Sequence, residues 1–523
     1  QSLLPDGGVL GFGYDRHGLF TQVSHNGDVL ASIERDQDGR ELRRRQGAAE
    51  SRYDYDVMGR LTRHRVSHRQ SKARIIERSY GYDASGNLAL IDDLKKGTTH
   101  YRYDALDRLK TVEGYCNEEF AFDPAGNILD GQNQAKGNRL NFHGDRHFEY
   151  DAAGNLILEK RGKGGKLETR YQYNKQNQLV AIEKDGQKTE YQYDALGRRI
   201  AKQDAFGKTE FLWNGDVLLS EQRNHLNKVY VYEPNSFRPL AFIQDKQVYH
   251  YHLDHLGTPQ EMTNAEGEVV WSARYKAYGN LALQDIEEVQ NPLRFQGQYY
   301  DEETGLHYNR HRYYDPSAAR FINQDPVGLL GGDNNYQYAP NPTGWVDPFG
   351  LTCKELTQEE IDQLKELVLN DPDRAYYKIR EMIRSDQLDF STKKDGAVFW
   401  GTSRHPGVNN MLVAQTWAKA NGKSTLEQTS GGKVLEQLDL FSKSNDMDSG
   451  KAAKLWNMAS TKFASNASGD INVFNTGANR FGQWGERTWW RIEKPVLLKN
   501  ESVTSVARRK KDGSAAKTGH IVK

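Results

Sequence analysis

Cysteines, signal-peptide features and long apolar runs are scarce or absent in this chain of 523 residues. Its two cysteines, Cys116 and Cys353, could form one bridge at most, which excludes a disulfide-built scaffold. It contains no run of 18 apolar residues, so we expect no membrane-spanning helix and no stable membrane association. No signal peptide follows Gln1, and we therefore expect that any export signal lies in a missing N-terminal region.

The chain changes character at residues 335–351. Before this segment the sequence is a repeat rich in Tyr, Gly and Asp, and after it come helix-like runs without a repeat. The net charge is zero, but the first 351 residues carry a balance of −6 and residues 352–523 a balance of +6. This asymmetry fits a carrier that attracts its cargo, and it fits ordinary solvated surfaces equally well.

A motif of the form aromatic-x-Tyr-Asp-x-x-Gly-Arg/Asn-Leu recurs through the first part of the chain. Two aromatic residues separated by one position lie on the same face of a strand, and Asp-x-x-Gly is typical of a turn. Each copy therefore predicts one β-hairpin, and a regular period favours stacked hairpins over several unrelated β-sandwiches. The copies, which vary slightly, are Tyr53–Leu61, Tyr80–Leu88, Tyr101–Leu109, Phe120–Ile128, Phe148–Leu156, Tyr171–Leu179 and Tyr191–Arg199.

These copies, together with the later segments His252–Gln260, Val270–Gly279 and Leu293–Pro316, resemble the YD repeats of the Rhs family of polymorphic toxins. The resemblance covers the chain up to about Leu351. It implies a multidomain protein in which an all-β shell of stacked hairpins, residues 1–315, encloses a C-terminal toxin. The stretch is short for a whole shell, so we expect its C-terminal part. His252 and His255 lack a third ligand at recognisable spacing, so no metal site is predicted.

Two Asp-Pro-x-Gly-Leu units begin at Asp325 and Asp347. From the residues alone both are turns, although two carboxylates brought close together could activate water as acid and base. The Rhs resemblance implies that residues 316–351 form an aspartyl autoprotease region. The residues that it implies are the catalytic pair Asp325 and Asp347, the helper Arg320 and the scissile bond between Leu351 and Thr352.

The tail, residues 352–523, predicts a small domain of mixed α and β structure. Apolar residues at helical intervals predict helices at 356–369, Arg374–Ile383, Met411–Ala420 and Lys451–Ala467. Short apolar runs predict strands at Asp470–Phe474 and Val496–Leu498.

Four blocks follow one another in the tail: Phe399–Trp400, Thr425–Thr429, Leu455–Ala464 and Thr488–Glu493. In order and inner spacing they resemble the ADP-ribosyl cyclase / NAD glycohydrolase family over about residues 397–498. The resemblance implies an α/β toxin domain of that type across 352–523. It further implies hydrolysis of the nicotinamide–ribose bond of NAD⁺ or NADP⁺, which is the substrate, with no cofactor and no metal.

Breaking that bond builds a cation on the ribose, which a fixed carboxylate stabilises. The resemblance implies Glu493 as this catalytic carboxylate, and Ser460 as the group that contacts the ribose or orients water. The residues implied for substrate binding are Trp400 and Trp456 through their ring faces, Glu427 through the carboxamide, Thr488 within the last block, and Trp489 as a residue that closes the pocket.

Plainer interpretations of the same residues stay open. Trp400 and Trp456 have apolar neighbours and fit a core, and Glu427 fits the first turn of a helix. Glu493 next to a lysine fits a surface ion pair, and Glu486 is a rival catalytic carboxylate.

Together the two resemblances imply an interbacterial effector, secreted by a type VI route, that acts in the cytoplasm of the target bacterium and depletes its dinucleotide pool. The implied partners are a cognate immunity protein, the secretion machinery and the shell that holds the cleaved toxin. The alternatives are an ADP-ribosyltransferase, a nuclease, or a surface protein without enzymatic activity. Only the basic end, residues 507–523, suggests nucleic acid, and a solvated tail explains it more simply, so no nucleic-acid partner is predicted.

Overall fold

The computed structural model divides the chain into two compact units, which are described separately. The first comprises Gln1–Tyr82 and Asn87–Cys353, and the second comprises Asp83–Gly86 and Lys354–Lys523. The structure describes all residues except 1, 5–6, 17–18, 37–38, 58, 130–134, 327, 329–333, 340, 352–357, 385–387, 389, 391–395, 401–409, 422, 443–446, 466, 468, 475–492, 500–502, 510–520 and 523. Among the described residues, no helix combines the length and apolar character needed to cross a membrane.

Two large antiparallel sheets, whose strands follow one another in chain order, make up most of the first unit. The first has 12 strands: Ser2–Leu3, Val9–Tyr14, Phe20–His25, Asp28–Arg35, Glu41–Gln46, Ala49–Tyr55, Leu61–His68, Arg74–Tyr82, Leu88–Asp93, Gly97–Tyr103, Leu109–Glu113 and Glu118–Glu119. The second has 15: Phe142–His143, Arg146–Tyr150, Leu156–Arg161, Leu167–Tyr173, Leu179–Lys184, Gln187–Tyr193, Arg199–Asp204, Gly207–Asn214, Val217–Arg223, Leu226–Tyr232, Pro239–Gln244, Gln247–Leu253, Pro259–Thr263, Val269–Tyr275 and Leu281–Glu287.

Shorter strands complete the first unit. Two-stranded pairs are Ala121–Phe122 with Ile128–Leu129 and Ala135–Lys136 with Arg139–Leu140, and a four-stranded sheet consists of Tyr299–Asp301, Leu306–Asn309, Arg312–Asp315 and Arg320–Phe321. Every α-helix of the described residues lies beyond residue 357. The prediction of successive hairpins for the repeat region is therefore confirmed.

In several copies the Asp or Asn side chain that opens the turn bonds to the residue four positions later, as the copy at 53–61 illustrates. The Asp56 carboxylate accepts the backbone N–H of Arg60 at 2.9 Å and the Arg60 Nε–H at 2.7 Å. The Arg60 guanidinium lies 4.5 Å from the ring centroid of Tyr82, whose hydroxyl donates to the Leu61 carbonyl at 2.8 Å. Because Tyr82 belongs to the next copy, the residues that form one turn also bind it to its neighbour.

The second aromatic residue of the motif marks a bulge in the hairpin. The strand register shifts at this position in several copies: between Asp54 and Tyr55, Gly81 and Tyr82, Arg102 and Tyr103, Gln172 and Tyr173, and Gln192 and Tyr193. A bulge increases the local twist of a strand pair. The repeated motif therefore adds twist at regular intervals along both sheets.

The segment after the second sheet packs its aromatic rings into that sheet's core, where Tyr299 and Tyr308 join the cluster that contains Tyr191. Its buried Asp301 accepts both Nη groups of Arg199, at 2.5 and 3.0 Å, and the Nζ of Lys202 at 3.0 Å. The Arg199 guanidinium also lies 4.5 Å from the ring centroid of Tyr308. This buried charge cluster fixes the segment that leads to the two Asp-Pro units.

Replacing Asp301 by asparagine should destabilise the first unit by about 3–5 kcal/mol, because it leaves the buried charge of Arg199 without a carboxylate and Lys202 with Glu303 alone. Urea unfolding of the full chain measures the change, and Asp185→Asn, at an exposed turn, is the control. A loss below about 1 kcal/mol, which is the usual scale of an exposed pair, would show that this cluster does not fix the segment.

The second unit contains six α-helices and one four-stranded sheet in its described part. The helices are α1 Gln358–Asn370, α2 Pro372–Arg384, α3 Asn410–Ala420, α4 Ser430–Gln437, α5 Ser449–Ser465 and α6 Lys494–Lys499, with a 3₁₀ helix at Leu426–Gln428. The sheet order is Val398–Trp400, Gly469–Phe474, Val503–Arg509 and Ile521–Val522, of which the first three are parallel and the last is antiparallel. Helices α1, α2 and α5 supply much of the core, including Ile379, Leu455 and Phe463.

The prediction of a strand at Val496–Leu498 was wrong, because these residues lie in α6. Proline is favoured near the start of a helix, where its missing N–H is not needed, so Pro495 suits this beginning. Val496 and Leu497 pack against the core of the unit. A run of three apolar residues does not distinguish a short strand from one helical turn.

Candidate functional site

The structure brings the two predicted aspartates of the first unit to one arginine. Asp325 and Asp347 are both buried, and the Nη2 of Arg312 lies 3.0 Å from Asp325 Oδ2 and 3.5 Å from Asp347 Oδ2. Arg312 also donates to the carbonyls of Gly350 and Asn335, the latter at 3.0 Å. Two carboxylates that face one guanidinium form a site where one carboxyl can keep its proton.

Burial favours the protonated form of the Asp347 carboxyl. The pKa of Asp347 is raised to about 6, chiefly by burial and to a smaller extent by the charge of Asp325, while Arg312 and the Leu351 N–H oppose the rise. The Leu351 N–H donates to Asp347 Oδ1 at 2.8 Å, which places the residue before the predicted scissile bond against this carboxyl. Thr352, on the other side of that bond, lies outside the described residues. The arrangement can supply an acid and a base beside Leu351.

The predicted helper Arg320 has its described contacts elsewhere. Its Nη2 donates to the Asn138 carbonyl, and its guanidinium lies 4.8 Å from the ring centroid of Tyr336. Sequence reasoning missed Arg312, because no spacing rule separates it from the other arginines nearby. The sequence could have indicated only that some cation must lie near the two aspartates, because two buried carboxylates require one.

Replacing Arg312 by glutamine should lower the rate of chain cleavage on the order of 10²-fold, because it removes the charge shared by both carboxyls. Arg320→Gln, which keeps that charge in place, should cleave at nearly the wild-type rate. Electrophoresis of freshly purified protein measures the cut fraction over time, with circular dichroism as a folding check. The reverse ranking of the two variants would favour Arg320 as the helper.

A second cluster, in the second unit, begins with Trp400 and Glu427. Trp400 ends the strand Val398–Trp400, and its Nε1–H donates to Glu427 Oε1 at 3.0 Å. Glu427 is buried in the 3₁₀ helix, and among the described residues its Oε2 has no hydrogen-bond partner. Burial raises the pKa of Glu427, whereas the bond from Trp400 lowers it. An acceptor oxygen is thus buried and unused.

The residues after Glu427 explain why its backbone is fixed. The Thr429 hydroxyl donates to the Leu426 carbonyl at 2.5 Å and accepts the backbone N–H of Gly432 at 3.1 Å, which caps α4. Gly432 approaches Leu426 so closely that a Cβ at this position would overlap the Leu426 carbonyl oxygen. The Thr-Leu-Glu-Gln-Thr block therefore owes part of its pattern to local folding.

Glu493 and Ser460 complete the cluster. Glu493 is buried just before α6, and Ser460 is buried on α5. The pKa of Glu493 is raised to about 8, chiefly by burial and also by the charge of Glu427, while a hydrogen bond from Ser460 opposes the rise. Two carboxyls that act on each other in a buried site favour a positively charged ligand, because a cation relieves both penalties.

Of the other residues predicted for this site, only Trp456 is among the described residues. Trp456 is partly buried and packs against the core of the second unit, one helical turn before Ser460. Thr488, Trp489 and the rival carboxylate Glu486 lie outside the described residues. The structure thus brings Trp400, Glu427, Ser460 and Glu493 into one cluster, and their roles toward a substrate stay predictions.

Comparison with known proteins bears mainly on the first unit. Residues 67–329 match the family described as Teneurin YD-shell. The chain is similar to the double-stranded DNA deaminase toxin A of Burkholderia cenocepacia, with 37% identity over 378 residues that cover 63% of this chain and 26% of that protein. It is also similar to the probable deoxyribonuclease RhsA of Dickeya dadantii, with 31% identity over 374 residues that cover 65% of this chain and 26% of that protein. The chain thus spans about a quarter of the length of these relatives.

Among solved structures, the crystal structure of TcdB2-TccC3-Cdc42 aligns with this chain at a TM-score of 0.50 and 19% identity. The alignment covers 66% of this chain and 20% of that one. At this level of identity the likeness concerns the fold alone.

Proposed function

This chain belongs to the Teneurin YD-shell family, and on that premise we propose that its first unit is the shell of an Rhs-type toxin and its second unit is the toxin. The shell cuts the chain between Leu351 and Thr352 with Asp325 and Asp347. The released fragment, residues 352–523, hydrolyses the nicotinamide–ribose bond of NAD⁺, NADP⁺ or both. The single observation that carries the activity is the buried cluster of Trp400, Glu427, Ser460 and Glu493.

The cluster suits a dinucleotide whose nicotinamide ring is cationic. The negative charge of Glu427 and Glu493 attracts the cationic ring electrostatically. The ring face of Trp400 also attracts a cation. The unused Glu427 Oε2 offers an acceptor for a carboxamide N–H. As the bond to nicotinamide breaks, positive charge moves onto the ribose, where the Glu493 carboxylate stabilises it, and Ser460 holds that carboxylate in place.

DNA-directed activities are the second candidate, since both curated relatives described above carry names of that kind. A zinc deaminase takes three His or Cys ligands, two of them from a Pro-Cys-x-x-Cys run. That run does not occur in this sequence, and residues 352–523 hold a single cysteine, Cys353. No group of three His, Cys, Asp or Glu side chains suited to a metal ion occurs in the part of the chain that the structure describes. These observations favour the dinucleotide over DNA as the substrate.

One experiment separates the candidates. Purified full chain is incubated with NAD⁺ labelled in its adenine, first alone and then with bacterial protein, RNA and double-stranded DNA. Glycohydrolysis predicts free labelled ADP-ribose in all samples at equal rates. Label on a macromolecule would identify an ADP-ribosyltransferase instead. Intact label with cut or deaminated DNA would identify a DNA-directed toxin.

The setting of this activity is part of the proposal. A secreted toxin that drains the dinucleotide pool acts in the cytoplasm of a target bacterium, and its producer needs a cognate immunity protein that covers the site. Type VI export would use parts of the longer protein that precede this chain, and the shell would hold the toxin after cleavage.

A further inference from the structure

A loop of the first unit, residues 291–298, holds buried hydrogen-bond donors that lack acceptors. Within the described residues, Asn291 Nδ2, Arg294 Nε and Gln298 Nε2 have no hydrogen-bond partner at ordinary bonding distance. The three loop residues are 5%, 2% and 1% exposed, so they have little contact with bulk solvent. Buried polar groups of this kind destabilise a fold unless something pairs with them.

Arg294 carries the charge of this group. Its Nη1 donates to the carbonyls of Asn291 at 2.7 Å and Leu293 at 3.0 Å, and its guanidinium lies 4.5 Å from the ring centroid of Tyr300. Burial lowers the pKa of Arg294, and nearby phenols and the exposed Glu287 offset this only in part. In the described part of the chain no carboxylate forms an ion pair with it, and a buried cation without a counter-charge is costly.

A cavity of about 30 Å³ lies beside this loop and is lined by Arg294 and Gln298. The aromatic side chains of Trp213, Tyr232 and Phe237 form part of its wall. The volume exceeds the roughly 10–15 Å³ that one water requires. The only carboxylate in the described lining, Asp216, is already paired with Arg310 at 3.0 Å.

We propose that this cavity binds a small monovalent anion, with Arg294 as its counter-charge and the Gln298 amide as a further donor. Donors without acceptors pair with an anion, whereas a cation or a neutral hydrophobic ligand would leave them unpaired. Chloride and a carboxylate of formate size share the required chemistry.

The site adjoins the second Asp-Pro unit. Gly297, in the loop, approaches the Pro348 carbonyl so closely that a Cβ at this position would overlap it. Phe237, from the cavity wall, meets Phe349 edge-on with ring centroids 5.2 Å apart. A bound anion therefore stabilises the loop on which the residues after Asp347 rest.

Thermal unfolding of the full chain tests the site. The first-unit transition is followed in increasing sodium chloride and, separately, sodium formate, with ionic strength held constant by a bulky morpholinoethanesulfonate salt. We expect the midpoint to rise by about 2–4 °C at ten times the dissociation constant and to continue rising with the logarithm of the anion concentration. The control Arg170→Gln, at an exposed position, should respond equally, and Arg294→Gln should not respond.

A second variant keeps the test decisive where Arg294→Gln fails to fold. Gln298→Glu places a carboxylate beside Arg294, so its midpoint should already be raised in the reference salt and should no longer respond to either anion. A response in formate alone would identify carboxylates as the ligand, and a response in both would include chloride. An unresponsive wild type, or an equal response in wild type and Gln298→Glu, would overturn the proposal.

Discussion

Replacing Asp347 by asparagine is expected to leave the chain uncut, whereas wild-type protein yields a fragment of about 170 residues. The carboxyl of Asp347 favours its proton and lies against the residue before the scissile bond, so it is the natural acid of the pair. Asparagine keeps the size and removes the transferable proton. Asp325→Asn should be equally inactive, because one carboxyl cannot supply both acid and base. Denaturing electrophoresis over several hours measures the cut fraction.

The exposed Asp185→Asn serves as the matched control and should cut like the wild type. The pH dependence gives an independent check. The proton on Asp347 is lost as the pH rises through about 6, so the cleavage rate should fall across that range. Cutting by both asparagine variants at the wild-type rate would remove the aspartate pair from the mechanism.

Replacing Glu493 by glutamine should reduce turnover of NAD⁺ by roughly 100-fold or more, with little change in KM. The carboxylate interacts most strongly with the charge that develops on the ribose, which the ground-state substrate does not yet carry there. Glutamine keeps the shape and the contact with Ser460 but removes the charge. Steady-state nicotinamide release by the full chain provides both constants. Trp400→Ala, in contrast, should raise KM, because it removes an aromatic face and the hydrogen bond to Glu427.

Glu366→Gln, at an exposed position of α1, is the matched control for Glu493→Gln. The proposed mechanism requires the ionised form of Glu493, whose pKa is raised to about 8. The ratio kcat/KM should therefore rise with pH up to about 8, at close to tenfold per unit. A flat profile from pH 6 to 9, together with unchanged turnover in Glu493→Gln, would exclude this carboxylate. Loss of activity in Glu486→Gln alone would transfer the role to that residue.

The sequence predicted most of the first unit because its determinants are local. In several copies the turn Asp bonds to the Arg or Asn four residues later, and Arg60 and Arg108 each contact an aromatic ring of the next copy. The motif therefore predicts both the turn of each hairpin and much of the packing between adjacent hairpins. The pairing of Arg199 with Asp301 could not be predicted, since the two residues stand 102 positions apart and no local pattern connects them.

The candidate sites could be predicted only in part. Asp325 and Asp347 were visible because each opens the same five-residue unit, but their shared Arg312 was not, since its role depends on folding in three dimensions. In the second unit, the Thr-Leu-Glu-Gln-Thr block is explained by helix capping as well as by a substrate contact. The cavity beside Arg294 could not be predicted from the sequence. Only the folded chain shows that the donors around it lack hydrogen-bond acceptors.

The most direct test of the account is the time course of nicotinamide and ADP-ribose formed from NAD⁺ and NADP⁺ by the purified full chain. The account predicts that both products appear together in equal amounts, that at least one of the two dinucleotides is consumed, and that the Glu493→Gln variant is slower by roughly two orders of magnitude. If folded and cleaved protein leaves both NAD⁺ and NADP⁺ intact, that result would contradict the proposed glycohydrolase activity.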